Sequence, residues 1–361
     1  MSLGTSPRVL ICEDSPLFAL ALRRVLEHEG DIAVVGVCST AEQALTEISR
    51  LKPDLVTMDI ELPGMKGLQA VERIMSLFPT PTLVLSSHVG RTRTDTAAAL
   101  AVGAIDAMSK EDVALRAPEG EAGAAFRRRI KILSRARVVR LSRPQAAAER
   151  VAAPRNGNGN GRAPGGSGSL HPVSVLGICS STGGPPMLRR LLEGLPASFP
   201  IPILVVQHMA AGFTESLAVW LDRAVPLPVR TAEDGAPLAP GVWLAPDGLH
   251  LALEGSRLVL DDGLYPGPHR PSGDVLLHSI ARSAGRSSAA IVLTGMGRDG
   301  ASGAAAVKHA GGIAIAQDEA SCVIYGMPKA AVDAGVDTVM TPDEIAAAIA
   351  SLKHAPTAVR T

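Results

Sequence analysis

The feature that most constrains the fold lies between Pro144 and Pro172, where the chain has almost nothing to bury. It includes Asn156-Gly157-Asn158-Gly159-Asn160-Gly161 and Gly165-Gly166-Ser167-Gly168. Ordering such a stretch costs backbone entropy that few apolar side chains offset, so it predicts a flexible linker. The 361 residues are therefore expected to divide into two separately packed units. At 46% apolar and 19% charged residues, the chain can fill two cores.

Composition also removes several function classes. The chain carries 35 basic and 35 acidic residues, so no overall field favours DNA or an anionic membrane. Aromatic residues are only 2%, too few for base-stacking platforms on single-stranded nucleic acid. Cys12, Cys38, Cys179 and Cys322 lie far apart without Cys-x-x-Cys spacing, a reducing-compartment pattern. Cys12 and Cys179 sit in strand-like runs and read as small buried hydrophobes. The N-terminus lacks a charged-then-apolar signal, and no apolar run reaches the roughly 20 residues of a membrane span. A cytoplasmic protein without membrane insertion is expected.

Residues 8 to about 115 alternate strand and helix patterns, with strands expected at Arg8–Cys12, Ile32–Val37, Leu55–Met58, Leu83–Leu85 and Ala104–Met108. Amphipathic stretches at Ser15–Glu29, Ala41–Leu51, Gly67–Leu77 and Thr94–Val102 separate them. This alternation predicts a parallel sheet covered on both faces. Three carboxylates fall just after strands: Glu13 and Asp14 after the first, Asp59 after the third. In a doubly wound sheet those strand ends share one edge. Like charges brought together there call for a cation, and hard oxygen ligands suit Mg²⁺. Ser86 follows the fourth strand and Lys110 the fifth, completing a phosphoryl-accepting constellation.

With these residues in order, the segment resembles a response-regulator receiver domain. The resemblance implies a flavodoxin-like fold and a five-stranded parallel sheet. It assigns phosphorylation to Asp59 within Asp54-Leu55-Val56-Thr57-Met58-Asp59-Ile60-Glu61-Leu62-Pro63-Gly64-Met65, with Glu13 and Asp14 as the metal-binding pair. Ser86 matches the switch hydroxyl and Lys110 the phosphate-contacting lysine, with Mg²⁺ supporting phosphorylation. Two positions depart from the pattern: Ala107 replaces the usual aromatic, and Lys66 stands where an aspartate is common. From Phe126 to Leu141 the chain turns strongly basic and reads as a solvated connecting helix, with nucleic-acid contact the sharper alternative.

Beyond the linker, Val173-Ser174-Val175-Leu176-Gly177-Ile178-Cys179 runs into Ser180-Ser181-Thr182-Gly183-Gly184-Pro185-Pro186 and then a helix pattern. A strand, a tight turn and a helix start can display a nucleophile, cradle an anion or merely connect. Further strands are expected at Ile203–Gln207, Ala290–Thr294 and Gly312–Ala316, and helices at Pro186–Leu195, Thr214–Arg223, Asp274–Ala284, Ser302–Ala310 and Pro328–Ala334. Short pieces at 242–245, 250–253 and 257–260 predict a β-hairpin excursion from a doubly wound, mostly parallel sheet. His208 follows the strand ending at Gln207, and Asp299 lies in the turn after a third strand. Serine, histidine and aspartate on one sheet edge meet the needs of nucleophile, base and orienting carboxylate. The Gly-x-Ser-x-Gly elbow is absent, because Cys179 takes its first glycine position. Gly295-x-Gly297-x-x-Gly300 with Asp318 also has dinucleotide-binding spacing, but Asp299 would then sit in the pyrophosphate cradle.

Four motifs, Ser180-Ser181-Thr182-Gly183-Gly184, Gln207-His208-Met209, Arg270-Pro271-Ser272-Gly273-Asp274 and Leu293-Thr294-Gly295-Met296-Gly297-Arg298-Asp299-Gly300, make this half similar to the CheB family of chemotaxis protein-glutamate methylesterases. The resemblance selects Ser181 as nucleophile over Ser180, and implies His208 and Asp299 as its triad partners. Backbone N–H groups near Thr182 and Met296 are expected to meet the oxyanion. It implies a receiver domain at 1–125, a basic helix and linker at 126–171, and a methylesterase domain at 172–354. The expected activity is phosphorylation-activated hydrolysis of glutamate methyl esters on chemoreceptors, with deamidation of receptor glutamines. The esterase itself should need no cofactor. A chemotaxis histidine kinase is the expected phosphodonor, and the protein is expected to be a monomer that binds no nucleic acid. A non-catalytic output domain or scaffold is the alternative of a different class.

Overall fold

The computed structural model describes residues 6–87, 99–100, 102–113, 115, 117–136, 138, 172–263, 265, 267 and 269–355. All of the linker expected at 144–172 except Pro172, and most of the helix expected at 94–102, lie outside the described residues.

The N-terminal unit contains β1 (Arg8–Cys12), α1 (Pro16–Glu27), β2 (Ala33–Cys38), α2 (Ala41–Leu51), β3 (Leu55–Asp59), α3 (Gly67–Leu77), β4 (Thr82–Ser86), β5 (Asp106–Ser109) and α4 (Glu121–Leu133). The sheet order is β2-β1-β3-β4-β5, with every pairing parallel. Side chains alternate between faces along each strand. Leu10, Cys12, Val56, Met58 and Val84 therefore meet Ile48, Ala70 and Ile74 of α2 and α3 on one face. Val9, Ile11, Leu55, Leu83 and Leu85 meet Leu22, Leu26, Phe126, Ile130 and Leu133 of α1 and α4 on the other.

That second face corrects the reading of the basic run. Through Leu133 it is α4, with Phe126, Ile130 and Leu133 packed in the core of the N-terminal unit, rather than solvated. Arg127 is itself only 1% exposed. Its guanidinium donates to the Pro118 carbonyl at 2.6 Å and to Glu29 at 2.5 Å, which neutralises a charge that burial would otherwise penalise.

The C-terminal unit begins with β6 (Val175–Ser180), α5 (Gly184–Leu192), β7 (Ile203–Gln207), α6 (Thr214–Ala224), β8 (Val229–Thr231), β9 (Val242–Leu244), β10 (His250–Glu254) and β11 (Arg257–Asp261). It continues through α7 (Gly273–Ala284), β12 (Ser288–Val292), α8 (Ala301–His309), β13 (Ile313–Gln317), α9 (Met327–Asp333), β14 (Thr338–Met340) and α10 (Pro342–Ser351). Seven parallel strands follow the order β14-β13-β12-β6-β7-β9-β8. Of the three short pieces expected to leave the sheet, Val242–Leu244 instead joins it beside β7, and only β10 and β11 form the antiparallel hairpin. The central trio β12, β6 and β7 is in register, Val292 opposite Cys179 and Ser180 opposite Gln207. Whatever follows those three strands emerges together.

Arg127→Ala should destabilise the receiver by about 2–4 kcal/mol, through lost packing and unpaired buried carbonyls. Thermal unfolding checks this, and a change below about 0.5 kcal/mol would restore the solvated-helix reading.

Candidate active site

Ser180 ends β6 and Ser181 follows it, and their surroundings separate them. Ser180 is fully buried and donates its hydroxyl to Gln207 Oε1 at 2.6 Å. Ser181 is half-buried, and its backbone is pinned on three sides. Its N–H donates to the Thr294 carbonyl at 3.1 Å, and its own carbonyl accepts from Gln207 Nε2 and the Gly184 N–H, both at 2.8 Å. No such bond holds the Ser181 hydroxyl among the described residues. Gly183 turns the chain into α5 with φ +78°, where a side chain would be strained. At Gly295 a Cβ would lie 2.7 Å from that of Ser181, so a bare backbone is required for the two turns to meet.

His208 follows β7, and its Nε2 lies 2.7 Å from Asp299 Oδ2. Asp299 also accepts the Ser272 hydroxyl at 2.7 Å, the Gly273 N–H at 2.6 Å and the Asp274 N–H at 3.0 Å. Those amides are the first turn of α7, where the helix dipole favours an anion. Burial opposes ionisation of Asp299, but the hydrogen bond and charge of His208, with the Ser272 and Asp274 donors, outweigh it. The carboxyl is held well below the usual carboxylate range. A proton shared with that carboxylate belongs on Nε2, which leaves the lone pair on Nδ1. Nδ1 is buried and has no hydrogen-bond partner, so it is the nitrogen free to act as a base. His269 stacks on the same ring, with centroids 4.2 Å apart and planes 14° from parallel.

Thr182 is buried beside Ser181, and Met296 is half-buried in the turn after Gly295. Asp299 stands inside the Gly295–Gly300 turn and is bonded to another helix, which disfavours a pyrophosphate there. The Arg270–Asp274 motif is visible in the sequence, but the role of Ser272 as helix cap and carboxylate anchor is not. His250 and His269 gave no signal beyond being isolated histidines.

At the receiver's strand ends, Glu13, Asp14 and Asp59 place carboxylate oxygens within 4.8 Å of one another. Burial, then the Asp59 charge, pushes the Glu13 pKa up, with Lys110 opposing. Lys110 Nζ sits 2.8 Å from Asp59 Oδ2 and 2.9 Å from Glu13 Oε1, and 4.7 Å from the Phe18 ring centroid. Burial disfavours its ammonium, but the two carboxylates prevail and raise its pKa. This hard-oxygen set, still short of positive charge, fits a divalent cation. Ser86 is buried at the end of β4, opposite Ser109 in register.

The two units meet at the Ser181 turn. The Gly183 N–H donates to the Ile105 carbonyl at 3.1 Å, and the Thr182 hydroxyl donates to Asp106 Oδ2 at 3.1 Å. Arg129 of α4 grips the same oxygen at 2.6 and 3.0 Å. Val323 and Ile324 pack against the receiver core that holds Ile105, and Met209, next to His208, packs against its opposite face. The receiver thus stands directly on the candidate site. Sequence patterns could not reveal Asp106 and Arg129 there, because they come from another domain.

Residues 176–349 match the CheB methylesterase family, and residues 9–115 match the response regulator receiver domain. A Myxococcus xanthus protein named protein-glutamate methylesterase/protein-glutamine glutaminase 4 is 41% identical over 93% of this chain and 94% of its own length. Protein-glutamate methylesterase/protein-glutamine glutaminase 3 of Anaeromyxobacter dehalogenans is 40% identical over 94% of this chain and 97% of its own. The crystal structure of the Thermotoga maritima CheB methylesterase catalytic domain shares 41% identity, covering 50% of this chain and 98% of that one, with a TM-score of 0.48. With receiver and esterase matched in the same order along nearly the whole chain, the protein belongs to the CheB family of protein-glutamate methylesterase/protein-glutamine glutaminases.

Proposed function

We propose that this chain is a receiver-gated serine esterase that removes methyl groups from glutamate methyl esters on chemoreceptors and deamidates receptor glutamines. The observation that carries the reading is the His208–Asp299 bond on the sheet edge that also bears Ser181. Ser181 Oγ attacks the ester carbonyl while His208 Nδ1 takes its proton, and Asp299 stabilises the resulting imidazolium through Nε2. The N–H groups of Thr182 and Met296 meet the oxyanion. Collapse of the tetrahedral species expels methoxide, which leaves as methanol with the proton from His208. Water then attacks the glutamyl-enzyme with His208 again as base, which frees the glutamate and restores Ser181. With a glutamine side chain the leaving group is ammonia.

Asp59 is the proposed phosphoacceptor, with Ser86 and Lys110 reading the phosphoryl group. Glu13, Asp14 and Asp59 would hold a Mg²⁺ ion, which neutralises charge on the incoming phosphoryl group. The proposed phosphodonor is a chemotaxis histidine kinase, and the proposed setting is the cytoplasm. No helix among the described residues is long and apolar enough to cross a membrane. In the unphosphorylated state the receiver restricts access to Ser181, through Ile105 on Gly183 and Asp106 on Thr182.

Ser181→Ala should abolish methanol release from methylated receptor while Asp59 still takes up phosphate from a small-molecule donor. Unchanged release would remove Ser181 from the mechanism. Asp106→Ala deletes the acceptor shared by Arg129 and Thr182. It should raise release by the unphosphorylated enzyme about tenfold, the scale of one charge-assisted hydrogen bond. Basal release equal to wild type would refute gating by this contact.

A further inference from the structure

His250 opens the β10–β11 hairpin, outside every motif that defines the esterase, yet only 2% of it is exposed. Its Nδ1 accepts the Ser272 N–H at 3.2 Å. Ser272 in turn donates its hydroxyl to Asp299 at 2.7 Å and accepts the Val275 N–H as the cap of α7. Asp299 then holds His208. We propose that His250 is a positioning residue of the esterase: its neutral imidazole fixes Ser272, and through Ser272 the carboxylate that orients the catalytic histidine. The assignment rests on the esterase reading above.

The chemistry of the link is directional. An imidazole nitrogen accepts a hydrogen bond only when it carries no proton, so His250 must be neutral with its hydrogen on Nε2. Protonation would turn Nδ1 into a donor facing another donor, the Ser272 N–H. Ser272 would then be pushed from the place where its hydroxyl meets Asp299.

The surroundings keep His250 in its accepting form. Tyr265 packs edge-on against the ring, with centroids 4.8 Å apart at 77°. Burial and the positive charge of Arg270 disfavour protonation, while Asp261 and Asp299 favour it; the net effect lowers the pKa. The accepting form is therefore present above that lowered pKa and is lost as the pH falls through it.

The hairpin is also fastened to the helix whose first turn anchors Asp299. The Leu253 N–H donates to the Ser279 hydroxyl at 2.9 Å, and the Ser283 hydroxyl donates to the Leu253 carbonyl at 2.7 Å. Both serines lie on α7. With the hairpin tied at Leu253 and His250 bonded at the cap, α7 is gripped along its length on the side of the carboxylate. This gives the excursion from the sheet a catalytic purpose beyond covering the core.

Two substitutions separate positioning from bulk. His250→Phe keeps the ring and removes the acceptor. His250→Asn keeps an acceptor oxygen close to the place of Nδ1. In the phosphodonor-activated full chain, His250→Phe should lower kcat for methanol release roughly three- to tenfold with KM unchanged. His250→Asn should stay within about twofold of wild type. Equal kcat in His250→Phe and wild type, or equal damage in both variants, would overturn the proposal.

A second readout needs no turnover: the downfield NMR resonance of the proton between His208 and Asp299. It should move in His250→Phe and stay in place in His250→Asn; an unmoved resonance in both overturns the positioning role. Wild-type protein that releases no methanol would instead sink the esterase reading, with the resonance still deciding for or against His250.

Discussion

The structure of the esterase turns on one buried carboxylate. Asp299 is 9% exposed, and an ionised group so placed persists only if donors replace the water it has lost. Four do so: His208, the Ser272 hydroxyl and two amides at the start of α7. The helix supplies donors that its first turn cannot satisfy internally, and the carboxylate supplies the acceptor they need. Because Asp299 is fixed in this way, the His208 ring is fixed too, and the free Nδ1 lone pair has one direction in which to act. The glycines at 183, 184 and 295 shape the neighbouring turn, since a Cβ there would collide with Val323, Gln207 and Ser181 respectively.

The receiver handles carboxylates by the opposite means. Glu13, Asp14 and Asp59 crowd together with one lysine among them, which leaves a charge deficit suited to a cation and a phosphoryl group. The two sites are joined by a short piece of chain. β5 begins at Asp106, which touches Thr182 beside Ser181, and ends at Ser109, just before the lysine that contacts Asp59. Four strand residues span about 13 Å, so only the length of β5 separates the carboxylate cluster around Asp59 from the contact with the esterase unit. Ala107, small where an aromatic is usual, is buried within that strand. The polar contacts of the strand lie at its ends, at Asp106 and at the following Lys110.

Much of this was legible in the sequence because both sheets are parallel and their chemistry sits at strand ends. Once the strand before Ser181, the strand before His208 and the strand before Asp299 were recognised, a common edge followed from topology alone. The same logic grouped Glu13, Asp14 and Asp59. What stayed hidden depends on contacts distant in sequence. Arg127 looked like one more cation in a solvated run until Pro118 and Glu29 enclosed it. Val242–Leu244 was too short to show whether it left the sheet or joined it, and β8 and β14, three residues each, carry no readable period. Ser272 and His250 support Asp299 from positions 27 and 49 residues earlier, with no spacing rule to connect them.

In the proposed mechanism Ser181 is an activated nucleophile whose exposure is governed by phosphorylation of a domain resting on it. Covalent labelling by a fluorophosphonate tests both parts together, because the probe reacts with a serine made nucleophilic by its base and must reach it to do so. Labelling of the full chain should map to the peptide containing Ser181 and should accelerate when a small-molecule phosphodonor is added. Labelling at another residue, or a rate at Ser181 unaffected by a phosphodonor that does modify Asp59, would contradict the account.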